Sequence, residues 1–352
     1  MNEAGYRRER LDRGIKVRTD DIFALSSYRE ILYLTLPRLA AIAALLVFPL
    51  LKGVTGIYWQ NVVLTACTIA LLALSWDLLH SVGLVSLGQA IFFGAGAYAT
   101  GFFSQHFGWP PLVTIPLATA VGAIFCTVLL YPVLRLRGIY FALITFAMPL
   151  LLTRVIEATK ILGGNVGMSG LPPLSDTPLD LYLIITVMLI CVFGFRRLFD
   201  TDYGLVLKAI RENDRSVMAA GFDLQWYRTQ AVFIAAIPGA FAGAFLTHYY
   251  QFAGLPAFSI EYSILPLASA IVGGPGSFSG VALGAFMLVP LSEALRSFGN
   301  LRVVIYSIVV VVFIVILPEG VFNYLQRKYY QIERLVPMEE GGNGQRANIA
   351  GS

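Results

Sequence analysis

Long apolar runs alternate along the chain with short polar connections, and the lengths of the runs set the first expectation. A helix needs about 20 residues to cross the hydrocarbon core of a membrane. Ten runs approach that length: 31–51, 59–79, 84–105, 112–134, 139–158, 179–195, 229–249, 261–273, 280–296 and 303–317. The third and eighth are glycine-rich or short, which leaves them open to a broken or re-entrant path. The pattern predicts an all-α integral membrane protein of about ten transmembrane helices, eight if those two do not cross. Ten crossings would divide as five plus five, an inverted five-helix repeat. Ser86, Gly88, Gly94 and Gly96 in the first half faintly echo Gly276, Ser277, Ser279, Gly280 and Gly284 in the second.

The longest polar interruption between runs is 196–228, and within it 203–226 has a different rhythm. Ala209, Ile210, Val217, Met218, Ala220 and Phe222 recur at roughly helical spacing, while Lys208, Arg211, Glu212, Asp214 and Arg215 fill the other face. Such a segment is too polar for lipid and predicts a short helix on the membrane surface. Three regions follow: a polar, partly helical extension over 1–30, a membrane domain over 31–325 containing the 196–228 loop, and a polar tail over 326–352. The extension carries Arg7, Arg8, Arg10, Arg13, Lys16, Arg18 and Arg29 among acidic residues, with no cleavable apolar core directly after them, unlike a signal peptide.

Composition strengthens the membrane assignment, because 57% of residues are hydrophobic and only 13% charged, about half the charged share of a soluble domain. A net charge of +4 suggests a polyanion partner at first sight, but the cations are scattered through the connecting loops, which argues against nucleic acid. Cys67, Cys126 and Cys191 stand alone in apolar runs and read as small buried apolar residues. Lys and Arg collect on the cytoplasmic side of membrane proteins. With an internal N-terminus, ten crossings place Arg135 and Arg137, the 196–228 loop, and Arg327 and Lys328 inside; 164–180 and 250–260, which lack Lys and Arg, fall outside. Both termini are then cytoplasmic.

Several motifs carry a further signal. GLVSLGQAIFFGAGAYATG over 83–101 reads either as a seam for close helix packing or as a broken segment lining a path. RLRGIYFALITF over 135–146 sets two cations at a span end. GGNVGMSGLPP over 163–173 has its shape set by backbone turns, not by a helix or strand, and lacks the Gly-Lys-Ser/Thr ending of a phosphate loop. In GGPGSFSGVALG over 273–284, Gly276, Gly280 and Gly284 share one smooth helix face.

Together with ENDRSVMAAG over 212–221 and Pro318-Glu319-Gly320, these stretches resemble the LivM-type branched-chain amino acid permease family of ABC importers over about 60–325. Gln89 stands where that family usually has His. The resemblance implies that Glu212, Ala219, Ala220 and Gly221 contact an ATPase. It further implies that Ser86, Gly88, Gln89, Gly94, Gly96, Gly273, Gly276, Ser277 and Gly280 serve the translocation path or helix packing. Gly163, Gly164, Gly167, Gly170 and Pro172 would face a solute-binding protein. The implied assembly adds two cytoplasmic ATPases, which hold the ATP and magnesium, a second homologous permease chain and an extracytoplasmic binding protein, in a bacterial inner membrane.

Asp77, Arg154, Glu157, Glu261, Glu293 and Arg296 are the ionisable residues in or beside the runs, and Arg154 with Glu157 and Glu293 with Arg296 are spaced to pair along a helix. His80, His106 and His248 are far apart and form no metal-binding motif. Neither paired central charges for an ion-coupled carrier nor convergent groups for an embedded enzyme are present in the sequence. The expected role is a transport subunit, not an enzyme, for branched-chain amino acids, with urea or short-chain amides as the alternative cargo.

Overall fold

The computed structural model describes residues 6–10, 28–136, 138–174, 177–299, 301–317, 319–330 and 333–337. Arg137, Pro318, the cations Arg13, Lys16 and Arg18, and the tail beyond Pro337 lie outside the described residues. Two compact units emerge, one of Leu36–Asn323 and one of Met1–Thr35 with Tyr324–Ser352. In the second, β1 (Tyr6–Arg10) pairs antiparallel with β4 (Glu333–Pro337), Tyr6 opposite Pro337 and Arg10 opposite Glu333. The N-terminal extension thus contributes a strand, and its last residues, from Tyr28, begin α1.

The chain is otherwise helical: α1 (Tyr28–Val47), α2 (Gly56–Ser81), α3 (Ala90–Phe107), α4 (Pro111–Leu130), α5 (Ile139–Thr159), α6 (Thr177–Phe199), α7 (Asp202–Glu212), α8 (Asp214–Ala219), α9 (Leu224–Tyr250), α10 (Glu261–Gly273), α11 (Phe278–Ala294), α12 (Leu301–Ile316) and α13 (Val321–Tyr330). Among the described residues, six helical stretches are long and apolar enough to cross a membrane, and Leu39–Leu50 and Phe278–Ala294 are apolar but shorter.

A helix that is apolar all round belongs in the interior. The most apolar stretch of α2 is 89% buried and that of α9 78%, against 22% for α5, so α2 and α9 form the centre and α5 lies towards the periphery. Around that centre the packing has a paired form. α3 lies against α4 and α9, α10 lies against α11 and α2, α4 rests on α9, α11 rests on α2, and α2 meets α9.

The third and eighth runs differ from unbroken spans. Residues 84–89 are not helical, so α3 starts at Ala90 instead of 84. Backbone groups freed there find partners elsewhere: Ser86 O accepts from Trp76 Nε1 at 2.8 Å, and Leu87 N donates to Thr145 Oγ1 at 3.1 Å. α10 has 13 residues, about 20 Å of helix against a core of about 30 Å. The chain reaches it through a 3-10 turn at Leu255–Phe258, which packs against α3.

Candidate functional site

The third and eighth apolar runs meet where α3 and α10 begin. Ala90 N, in the first turn of α3, donates to Ser263 Oγ in the first turn of α10 at 3.1 Å. Gln89 precedes α3 and is fully buried; its Oε1 accepts from Ser75 Oγ on α2 at 3.0 Å. Gln89 Nε2 has no hydrogen-bond partner among the described residues. Ser86 is also buried, and its Oγ accepts from Gly88 N at 3.2 Å. Ser75 lies six residues before the end of α2, so this polar layer sits about 9 Å inside that end. Phe93 stacks on Tyr262 at 4.0 Å in the first turns of α3 and α10, and Tyr98, further along α3, stacks on Phe258 at 5.5 Å.

The glycines around it are packing positions. A methyl group at Gly96 would fall 2.0 Å from the Ala240 carbonyl oxygen, one at Gly88 1.9 Å from that of Thr145, and one at Gly94 2.1 Å from the Phe258 ring. The second glycine segment behaves alike, with Gly273 set 2.1 Å by the same measure from Gly280 O. Ser277 caps α11, its Oγ accepting from Gly280 N. Gly276 acts through its backbone instead, its N–H donating to Asp77 Oδ1 at 2.6 Å. Asp77 is fully buried and its Oδ2 is unpartnered among the described residues. Along the chain Asp77 stands out as an acid in an apolar run, but nothing local marks a partner 199 residues away.

The polar interruption forms two helices instead of one. Asn213 is extended (φ −156°), and its side chain accepts from Arg215 N and Ser216 N, ending α7 and capping α8. Leu207, Ile210 and Val217 anchor the pair in the core. Met218, Ala220 and Phe222, expected on the buried face, are exposed, as are Glu212, Ala219 and Gly221. Arg228 on α9 holds Asp214 at 2.9 Å, a largely buried ion pair that fixes α8 and that the sequence did not reveal. The phenol of Tyr203 is pushed up to about 12 by burial and by its neighbour Tyr227, so it stays neutral. Arg211, Glu212, Asp214 and Arg215 join Gly83, Leu84 and Gly138 around an open cleft of about 350 Å³. A methyl at Gly83 would lie 3.3 Å from the Arg211 Cα, so α7 seats directly on the end of α2.

At the opposite end of α9, residues 163–173 turn on Gly163, Gly164, Gly167 and Gly170, all at positive φ as the turn-rich sequence suggested. One correction applies: β2 (Met168–Ser169) pairs antiparallel with β3 (Phe252–Ala253), because buried Met168 anchors the loop against Gly101. Pro172 O accepts a hydrogen bond from Nδ1 of buried His248 at 2.8 Å, and His248 Nε2 also meets Thr114 Oγ1. His248 reads in the sequence as an isolated histidine; here it fastens the loop to α9 and α4. The spaced pairs form as expected, Arg154 with Glu157 at 2.7 Å and Arg296 with Glu293 at 2.8 Å.

The sequence profile described as "Branched-chain amino acid transport system / permease component" matches residues 58–317. The high-affinity branched-chain amino acid transport system permease protein LivM of Salmonella typhimurium (strain LT2) is 26% identical over 269 residues, covering 68% of this chain and 63% of that protein. LivM of Escherichia coli (strain K12) matches to the same extent. The probable LivM of Methanocaldococcus jannaschii is 26% identical over 239 residues, 59% of this chain and 68% of that one. The match thus spans 63% of the length of the two bacterial relatives. No solved structure matches.

Proposed function

We propose that this chain, which belongs to the branched-chain amino acid transport permease family, is a membrane subunit of an ABC importer and forms the path by which branched-chain amino acids cross a bacterial cytoplasmic membrane. The observation that carries the reading is the matched span 58–317, which takes in both broken crossings and the α7–α8 pair together. α7 and α8 would face the cytoplasm, where two partner ATPases, holding ATP and magnesium, dock on Glu212, Ala219, Ala220 and Gly221. Exposure of Met218, Phe222 and Trp226 beside them supports a docking surface. The opposite loop, with Gly163, Gly164, Gly167, Gly170 and Pro172, would meet the solute-binding protein, and a second homologous permease would complete the path.

The full reading has ten crossings in two inverted halves. The paired packing supports it: α3 and α10 would be the third crossing of each half, α3 entered through non-helical chain and α10 through a 3-10 turn. Closure of the ATPases would push α7 against the end of α2 and rock the two halves between outward and inward openings.

Affinity purification of the intact complex, followed by ligand titration of the binding protein that accompanies it, tests the reading. Two ATPases and binding of leucine, isoleucine or valine are expected. A binding protein that takes urea or a short amide and none of the three would replace the cargo, and a chain that purifies without ATPases would overturn the importer.

A further inference from the structure

Of the buried polar groups without a partner among the described residues, one lies where the two interrupted helices meet. An amide N–H donor enclosed by protein nearly always has an acceptor, yet Gln89 Nε2 is fully buried and has none among the described residues. It does not stand alone. Gln89 is the residue before α3, an 18-residue helix, and α10 begins at the same level, as the Ala90 N to Ser263 Oγ bond requires. The N-terminal ends of two helices, each carrying partial positive charge, therefore converge on one polar layer inside the bundle. Ser263 is buried there, its hydroxyl proton able to donate, whereas Glu261 in the same turn lies on the exposed face.

We propose that Gln89 Nε2 and Ser263 Oγ form a subsite for the solute's carboxylate at the facing starts of α3 and α10. Among the described residues the site offers hydrogen-bond donors and helix ends but no buried cation, which suits an anion that must bind briefly and leave. A fixed Arg or Lys would hold a carboxylate; an amide, a hydroxyl and two helix dipoles attract it without trapping it. Ser75 orients the amide by donating to Oε1, which leaves Nε2 as the free end. The Phe93–Tyr262 stack, in the first turns of the same two helices, offers an aliphatic side chain an apolar surface. This subsite rests on the amino-acid importer reading above.

The test is leucine uptake by proteoliposomes holding the whole complex and its binding protein, with ATP hydrolysis stimulated by loaded binding protein measured in parallel. Gln89→Met keeps the shape and removes the donor; Gln89→Glu places a negative charge at the same point. Both are expected to lower leucine uptake at least tenfold, with Gln89→Glu the lower, while stimulated ATP hydrolysis stays within twofold of wild type. Ser263→Ala should give a smaller loss of the same kind. Wild-type uptake by Gln89→Met, or uptake by Gln89→Glu equal to or above wild type, would overturn the subsite. Equal loss of transport and stimulated hydrolysis in all three variants would also overturn it, by assigning these residues to the fold. Failure of the wild-type complex itself to accumulate leucine would instead remove the cargo reading beneath it.

Discussion

Glycine does opposite work in the interior of the bundle and in the α7–α8 loop. At Gly96 and Gly273 the neighbouring backbone lies where a side chain would be, so the residue sets how closely two helices approach. At Gly221, in the left-handed region at φ 89°, nothing lies within 4 Å of a would-be methyl group, so the residue turns the chain after α8 and leaves a flat, open surface. One region is closed by its small residues and the other is kept accessible by them. Interior glycines should therefore answer to stability measurements and the loop glycine to partner binding.

The largest effect should come from the interior. Gly96→Leu forces α3 from the Ala240 carbonyl, and overpacking of this kind costs about 1–3 kcal/mol or more. A loss of about 3 kcal/mol would lower the Tm of the detergent-solubilised protein by about 4 °C for a chain of 352 residues. An unchanged Tm would mean that α3 and α9 do not touch at Gly96. Gly221→Trp should do the reverse, lowering uptake at least tenfold and preventing co-purification of ATPases while the Tm moves little; Glu212→Arg should act likewise by reversing a charge on the same surface. Full transport by both would make the loop a mere connection.

The smallest effect concerns the link between the two regions. Asp77 ties the Gly276 turn to the end of α2, on which α7 also rests. Asp77→Ala leaves Gly276 N–H without its acceptor, a loss of about 1–3 kcal/mol. Asp77→Asn retains an acceptor oxygen and should lose less than half of that, read as Tm. Equal losses would show that the charge, not the hydrogen bond, matters.

Periodicity and run length expose much of this architecture along the chain. The central spans, the spaced pairs at Arg154 and Glu293, and the irregularity of the third and eighth runs are all legible, because each is a local property of composition or spacing. The start of α3 is not, since the apolar run continues through residues 84–89 while Ser86 and Leu87 bond to Trp76 and Thr145, partners outside the segment. Partners distant in sequence are equally hidden. Asp77 with Gly276, His248 with Pro172, and Asp214 with Arg228 are paired by the fold, and each looks like an isolated residue along the chain. The split of the surface helix at Asn213 escapes detection because apolar spacing runs on through the break.

Uptake by proteoliposomes containing the complete complex and its own binding protein tests the central claim most directly, with leucine, isoleucine, valine and urea offered separately. ATP-dependent accumulation of the three amino acids, absent when the ATPases are omitted, is the predicted result. Accumulation of urea with none of the three moving, or uptake that persists without ATPases, would contradict it.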